Sequence, residues 1–262
     1  MTLTAAEALR AVEVLAATGV LITSAEFLAR PALLDNRSLA SWNVLRLNRR
    51  HGARLDHLLA YPRILVVIGA RAAAAAALIC WSAPAPPAHA VLLGIVVLAS
   101  VLLQLRGPYG GEGADQILLL VFTVLTVTAL HPHTSTMRLS LYFLAAQSAL
   151  AYLTAGLYKA ASPVWRDGTA LAGILGTRCF GNPHLAALAA RHPGPTAWAA
   201  RGIIIFEILF PLVLLTPPSA LFLVLSAGAL FHLACATTMG LNVFLWAFTA
   251  TYPALAHTAL TR

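Results

Sequence analysis

Long apolar runs separated by short polar segments fill the chain from end to end. A helix needs about 20 mostly apolar residues to cross about 30 Å of hydrocarbon. Eight runs approach or meet that length: 11–29, 63–81, 88–105, 116–131, 139–158, 202–216, 219–238 and 241–260. The first carries Glu13 and Glu26, and the last two read as a long hairpin turned at Gly240. A polyalanine stretch at 72–77 is small and smooth, which suits close helix packing as well as lipid contact. The pattern predicts an all-α fold, a polytopic membrane bundle of about eight transmembrane helices, formed by one domain over residues 1–262.

Composition strengthens that reading. Hydrophobic residues make up 60% of the 262 and charged residues 10%, with a mean hydropathy of +0.81. A soluble domain is about 45–50% apolar and about 25% charged. So few charges do not cover a soluble globule of this size, and a soluble enzyme is excluded. The formal net charge of +8 would point to nucleic acid in a soluble protein. Here the basic residues sit in loops between apolar spans, so membrane lipids with anionic head groups are the expected contact and nucleic acid is not. Cys80, Cys179 and Cys235 are far apart without paired or metal-type spacing, and they read as small apolar packers. The first apolar run follows Glu7, Arg10 and Glu13 rather than a basic leader, so no cleavable signal is expected.

The loops alternate in charge. Seven arginines lie in 30–63, four in 160–201 and one, Arg106, in the glycine-rich loop between them. The other loops are nearly uncharged. Placing the arginine-rich loops in the cytoplasm puts 12 of 16 arginines there. The expectation is a multi-pass protein of the cell membrane with both termini outside and Lys159 at the inner end of the fifth span.

Lys159 is the one lysine among 17 basic residues. In an Ala-, Leu- and Arg-rich chain, it marks a place where arginine does not serve. An ammonium in low dielectric is penalised, and a neutral amine is a usable base or nucleophile, which arginine is not. The plainer reading is a lysine snorkelling to the interface from a helix end. Glu207, inside the run Ile203-Ile-Ile-Phe-Glu-Ile-Leu-Phe-Pro, is a costly mid-span carboxylate that needs a partner. That partner is Arg201, nearly two turns back, or a residue of another span. A structural ion pair and a catalytic acid fit Glu207 equally well.

His232 has no histidine at i+4 and reads as an interhelical hydrogen-bond partner. His131 and His133 form a loop pair with no third ligand, so no metal is expected. Residues 107–116 resemble a phosphate loop only weakly, since they follow an apolar span and lack the Lys-Ser/Thr pair. They read as a tight turn that places Asp115, as an N-cap, and Gln116 at the head of the fourth span. Tyr152 and Lys159 are seven residues apart and share a helix face. Gln147 lies about 140° from Tyr152 at 100° per residue, facing a neighbouring span.

Two stretches then carry a resemblance: Gln147-Ser-Ala-Leu-Ala-Tyr-Leu-Thr-Ala-Gly-Leu-Tyr-Lys159, and Pro163-Val-Trp165-Arg-Asp-Gly168. Together they resemble the signature of the HTTM domain, the membrane domain of vitamin K-dependent gamma-carboxylases and their short bacterial relatives. Phe231-His232, Met239-Gly240-Leu241, Phe244-Leu-Trp246 and Tyr252-Pro253 are similar to later parts of that pattern, Glu207 ahead of a proline to its acidic span residue and Gly113-Ala-Asp115 to its Gly/Asp loop ahead of a helix. The resemblance implies Lys159 as the base that deprotonates a reduced, vitamin K-like quinone, with His232 and Glu207 orienting the quinol or tuning the lysine. It also implies a lipid-soluble small-molecule substrate. The carboxylases continue into a large soluble region, whereas this sequence ends just past its last predicted span. No soluble C-terminal domain is therefore expected, nor protein carboxylation by this chain alone.

The catalytic candidates are Lys159, Glu207, His232 and Asp115. The substrate-binding candidates are Gln147, Tyr152, Trp165, Trp246 and Arg201. The leading expectation is an integral membrane enzyme using Lys159 for acid–base chemistry on a quinol or prenylated substrate. A membrane terpene cyclase protonating an isoprenoid through Glu207 or Asp115 is the alternative. A non-catalytic maturation or immunity factor for a secreted peptide is the third reading, and a peptide or a prenyltransferase is the corresponding partner.

Overall fold

The computed structural model describes residues 3–38, 41–48, 53–81, 85–107 and 113–261. Fourteen α-helices and three short 3-10 segments account for the regular structure among them, and no strand is present there. Backbone amides in hydrocarbon have no water to bond, so a chain this apolar satisfies them within helices. Among the described residues seven helices are long and apolar enough to cross a membrane, which makes this a polytopic helical membrane protein. The helices group into two units, residues 9–140 and residues 1–8 with 141–262.

In the first unit α1 (Ala5–Ala29) starts six residues before the expected span. Short helices α2 (Trp42–Leu45) and α3 (Ala53–Leu59) occupy the arginine-rich loop. Then come α4 (Arg63–Cys80), α5 (Pro86–Arg106) and α6 (Gly113–Leu130), with α5 packed against both neighbours. A core of Leu34, Trp42, Leu59, Ile64, Ile68 and Leu102 sits under the loop helices. The Trp42 indole donates to Asp56 at 3.1 Å, which gives its polar edge a partner. Polar side chains tie the helix ends. Arg106 at the end of α5 is buried; its Nε donates to the Leu59 carbonyl and its Nη2 to the Leu34 carbonyl, each at 3.1 Å. Arg10 of α1 donates to the carbonyls of Leu78 and Ile79, two of the free acceptors at the end of α4. It also pairs with the buried Glu13, whose other oxygen meets His89 Nε2 at 2.8 Å.

Two expectations change here. Asp115 is not an N-cap: α6 begins at Gly113, so Asp115 lies inside its first turn, where a carboxylate still suits the helix dipole. Residues 108–112 of the expected glycine loop lie outside the described residues. Cys80 and Cys179 are exposed rather than packed, because each sits beyond the buried part of its segment; all three thiols are free.

The second unit holds most of α7 (Thr134–Ala161), then α8 (Pro163–Arg166), α9 (Thr169–Leu175), α10 (Pro183–Arg191) and α11 (Pro193–Leu209). Pro211 tightens the chain after α11 into a 3-10 segment, Phe210–Leu215. The remainder is α12 (Pro218–Met239), α13 (Asn242–Thr249) and α14 (Tyr252–Leu260). The stretch 160–201, expected as a loop, is therefore largely helical. The expected span 241–260 is two helices of 8 and 9 residues, broken at Ala250 and Thr251. At 1.5 Å per residue each is about 12–14 Å long, well short of a bilayer core. The Thr251 hydroxyl reaches Ser148 Oγ of α7 at 2.8 Å, so the break is held by a side chain.

Replacing Arg106 with Leu strands two buried carbonyls and should cost about 2–6 kcal/mol at about 1–3 kcal/mol per unsatisfied group. Thermal unfolding in detergent reads that loss. The exposed Arg138→Leu control should stay within about 0.5 kcal/mol of the parent.

Candidate functional site

The buried face of α7 is written in its spacing: Leu141, Ala145, Ser148, Tyr152 and Gly156 follow one another at three- and four-residue steps and lead to Lys159. Tyr152 and Lys159 do share a face, and each meets a different neighbour. The Lys159 Nζ donates to both oxygens of Glu207 on α11, at 2.7 and 2.6 Å. Glu207 therefore pairs with another span rather than with Arg201. The carboxylate side chain is 6% exposed and the lysine side chain 21%. The ammonium also faces the Trp165 ring at 5.2 Å from its centroid, a cation–π contact from the short α8.

Gly156 makes the pair reachable. A Cβ there would stand 2.8 Å from the Ile208 nitrogen and 3.0 Å from Glu207 Cβ, so only glycine lets the two backbones approach this closely. Gly168 has φ +88, a left-handed conformation, and a Cβ on it would sit 2.5 Å from Ala197 Cα. It turns the chain from α8 into α9, its amide donating to the Trp165 carbonyl at 3.3 Å. Asp167, just before it, accepts from the Thr169 hydroxyl and amide, which together hold its carboxyl below the ordinary range.

Above the ion pair lies a hydrogen-bonded chain of rings. The Tyr152 hydroxyl meets His232 Nε2 of α12 at 2.6 Å and the Tyr252 hydroxyl of α14 at 2.7 Å. His232 is thus an interhelical hydrogen-bond partner. Phe210 stacks on Tyr152 at 3.8 Å between centroids, and Phe248 stacks on His232 at 4.4 Å. Phe206 and Phe231 close the sides. Gly228 leaves the space that the Tyr252 hydroxyl fills: a Cβ there would fall 2.3 Å from that oxygen. His232 Nδ1 is buried with no hydrogen-bond partner among the described residues. Whichever way the protons run along the two tyrosines, Nδ1 is the open end of the chain.

Several sequence candidates fall outside this arrangement. Arg201 is exposed; its Nε donates to the Arg166 carbonyl at 3.0 Å and its guanidinium lies over Trp198. Gln147 and Trp246 are half-buried on α7 and α13, outside the hydrogen-bonded chain. Asp115 belongs to the other unit. Conversely, Tyr252, Phe210, Phe248, Gly156 and Gly228 were not singled out as site residues. Tyr252 carried a usable signal, a phenol in an apolar run just before a proline. The phenylalanines carried none, being indistinguishable from lipid-facing ones.

Compared with known proteins, the chain matches no family model, no curated protein and no solved structure.

What these residues can do follows from the pair. Two opposite charges in low dielectric compensate one another, and their unit is neutral whether the proton rests on nitrogen or oxygen. The amine, expected to stand alone, is instead bonded to the Glu207 carboxylate. Glu207→Leu or Lys159→Met alone leaves an uncompensated charge and should destabilise the protein by about 3–5 kcal/mol. The double variant, apolar at both positions, should recover most of that loss. A double-mutant cycle on thermal unfolding in detergent measures it, and additive losses would mean the two side chains do not interact.

Proposed function

We propose that this chain is an integral membrane enzyme of the HTTM, vitamin K-dependent gamma-carboxylase-like family. In this reading, Lys159 and Glu207 move a proton to or from a lipid-soluble substrate. One observation carries it: the sole lysine reaches a buried carboxylate with both oxygens within 2.7 Å, through a glycine that brings the helices together. The same observation supports the family resemblance, since the Ala-Gly-x-x-Lys and Trp elements are the residues that build the pair and cover it. Arginine would preserve the ion pair yet hold its proton too tightly to exchange it. A need for proton transfer explains a lone lysine where a need for charge alone does not.

A reduced quinone fits these residues. The open Nδ1 of His232 and the surrounding rings offer a hydrogen bond and stacking partners to a flat, oxygen-bearing ring. When bound, a quinol supplies two ionisable hydroxyls and two reducing electrons. His232 would orient it, and Lys159, held by Glu207, would take up or return a proton at Nζ. The apolar walls keep water from competing for that proton.

The terpene cyclase reading is favoured by one feature, the ring cluster of Phe206, Phe210 and Phe231, whose Phe206 precedes Glu207 in the chain and whose faces suit a passing carbocation. There Glu207 would be the donor and Lys159 dispensable. A role as a maturation or immunity factor, working with a peptide or prenyltransferase partner, predicts that substitutions act through folding alone.

Turnover of a membrane lipid extract by purified protein, read by mass spectrometry, separates the three. Lys159→Arg should lose about 100-fold or more in rate at unchanged expression, as general acid–base catalysis is worth about 10²–10⁴. Full activity in that variant would end the proposal, and activity surviving Lys159→Met but not Glu207→Gln would favour the cyclase. Asp115→Asn should leave turnover intact. The proposed orientation, with 160–201 cytoplasmic in the cell membrane, is tested on Cys179 as the single thiol. An impermeant thiol reagent should label it in opened vesicles and spare it in intact cells.

A further inference from the structure

Among the described residues of the first unit, the buried Arg106 and the half-buried Arg10 have recognisable tasks. Arg106 ties two loop carbonyls, and Arg10 ties the end of α4 and Glu13. Arg71 does neither. It is 5% exposed at the ninth position of the 18-residue α4, about 12 Å from either end at 1.5 Å per residue. It occupies the core stripe Ile64, Ile68, Arg71, Ala75, Leu78, whose four- and three-residue steps point at neighbouring helices. An aliphatic side chain belongs at such a position.

Its bonding is incomplete. Nη2 donates to Thr23 Oγ1 of α1 at 3.0 Å, while Nε is buried without a hydrogen-bond partner among the described residues. The Asp115 carboxylate acts on it through space, so the charge is not wholly uncompensated, but the donor remains open. An ionised group within a span is costly and by default functional. A guanidinium presents Nε and Nη2 as a planar fork, the edge that receives both oxygens of a carboxylate or two of a phosphate. Ala74 and Ala75, buried one turn on, leave little side-chain bulk beside that edge.

We infer that Arg71, with Thr23, forms an oxyanion-binding site inside the first unit for an amphiphile with a carboxylate or phosphate head and an apolar tail. The head completes the fork at Nε, and the tail extends toward the hydrocarbon around the span. This site is separate from the Lys159–Glu207 pair and does not depend on the proposed chemistry there.

The test uses the full chain in non-ionic micelles with three probes of equal tail length: laurate, lauryl phosphate and dodecanol. Native mass spectrometry counts the molecules retained per protein. The parent should keep one laurate or lauryl phosphate and release dodecanol; the better retained anion identifies the head group. Arg71→Gln should lower anion occupancy at least tenfold, while the exposed Arg191→Gln control should match the parent. Equal retention of dodecanol, no retention of either anion, or undiminished retention by Arg71→Gln would each overturn the inference. The dodecanol comparison needs only the parent protein, so it decides the matter even if Arg71→Gln fails to fold.

Discussion

An ammonium and a carboxylate placed in a medium that solvates neither must find each other, and Lys159 and Glu207 do so across two helices. Much of the second unit follows from that meeting. It fixes the height of α7 against α11, requires a backbone without a side chain at Gly156, and sets Trp165 over the nitrogen. With α7 and α11 in register, Tyr152 stands beside Phe206 and Phe210, where its hydroxyl meets α12 and α14 together. The same rule governs the first unit in a different form. There the cationic Arg106 and Arg10 end on carbonyl groups left over at helix ends, which need donors as much as the guanidinium needs acceptors.

The membrane character and seven of the spans were legible because hydrocarbon imposes both length and composition on a helix. Lys159 and Glu207 were legible for a related reason: a charge inside an apolar run stands out against its surroundings. Their pairing was not. Arg201 lies closer to Glu207 along the chain, but it sits on an exposed face midway along α11 and bonds the Arg166 carbonyl instead. Contacts between residues 48 positions apart depend on which helices adjoin, and apolar periodicity does not encode that.

The last stretch, 241–260, shows a second limit. Its hydropathy is that of a span, yet it folds as α13 and α14 around the break at Ala250 and Thr251. Hydropathy reports the solvent a segment tolerates, and a bundle interior is as apolar as lipid. A helix pair packed on α12 and on the 3-10 segment after α11 satisfies the same composition in two short pieces. The Thr251 contact to Ser148 holds that break.

Gly156 and Gly228 have a consequence for how mutational data on this protein should be read. Neither bears a functional group, yet each occupies space already filled by a neighbour: Ile208 and Glu207 in one case, the Tyr252 hydroxyl in the other. Saturation screening would therefore rank both among the least replaceable residues, beside groups that handle protons. Intolerance at these positions reports a shortage of room, and assigning chemistry from such a ranking requires first setting the steric positions aside.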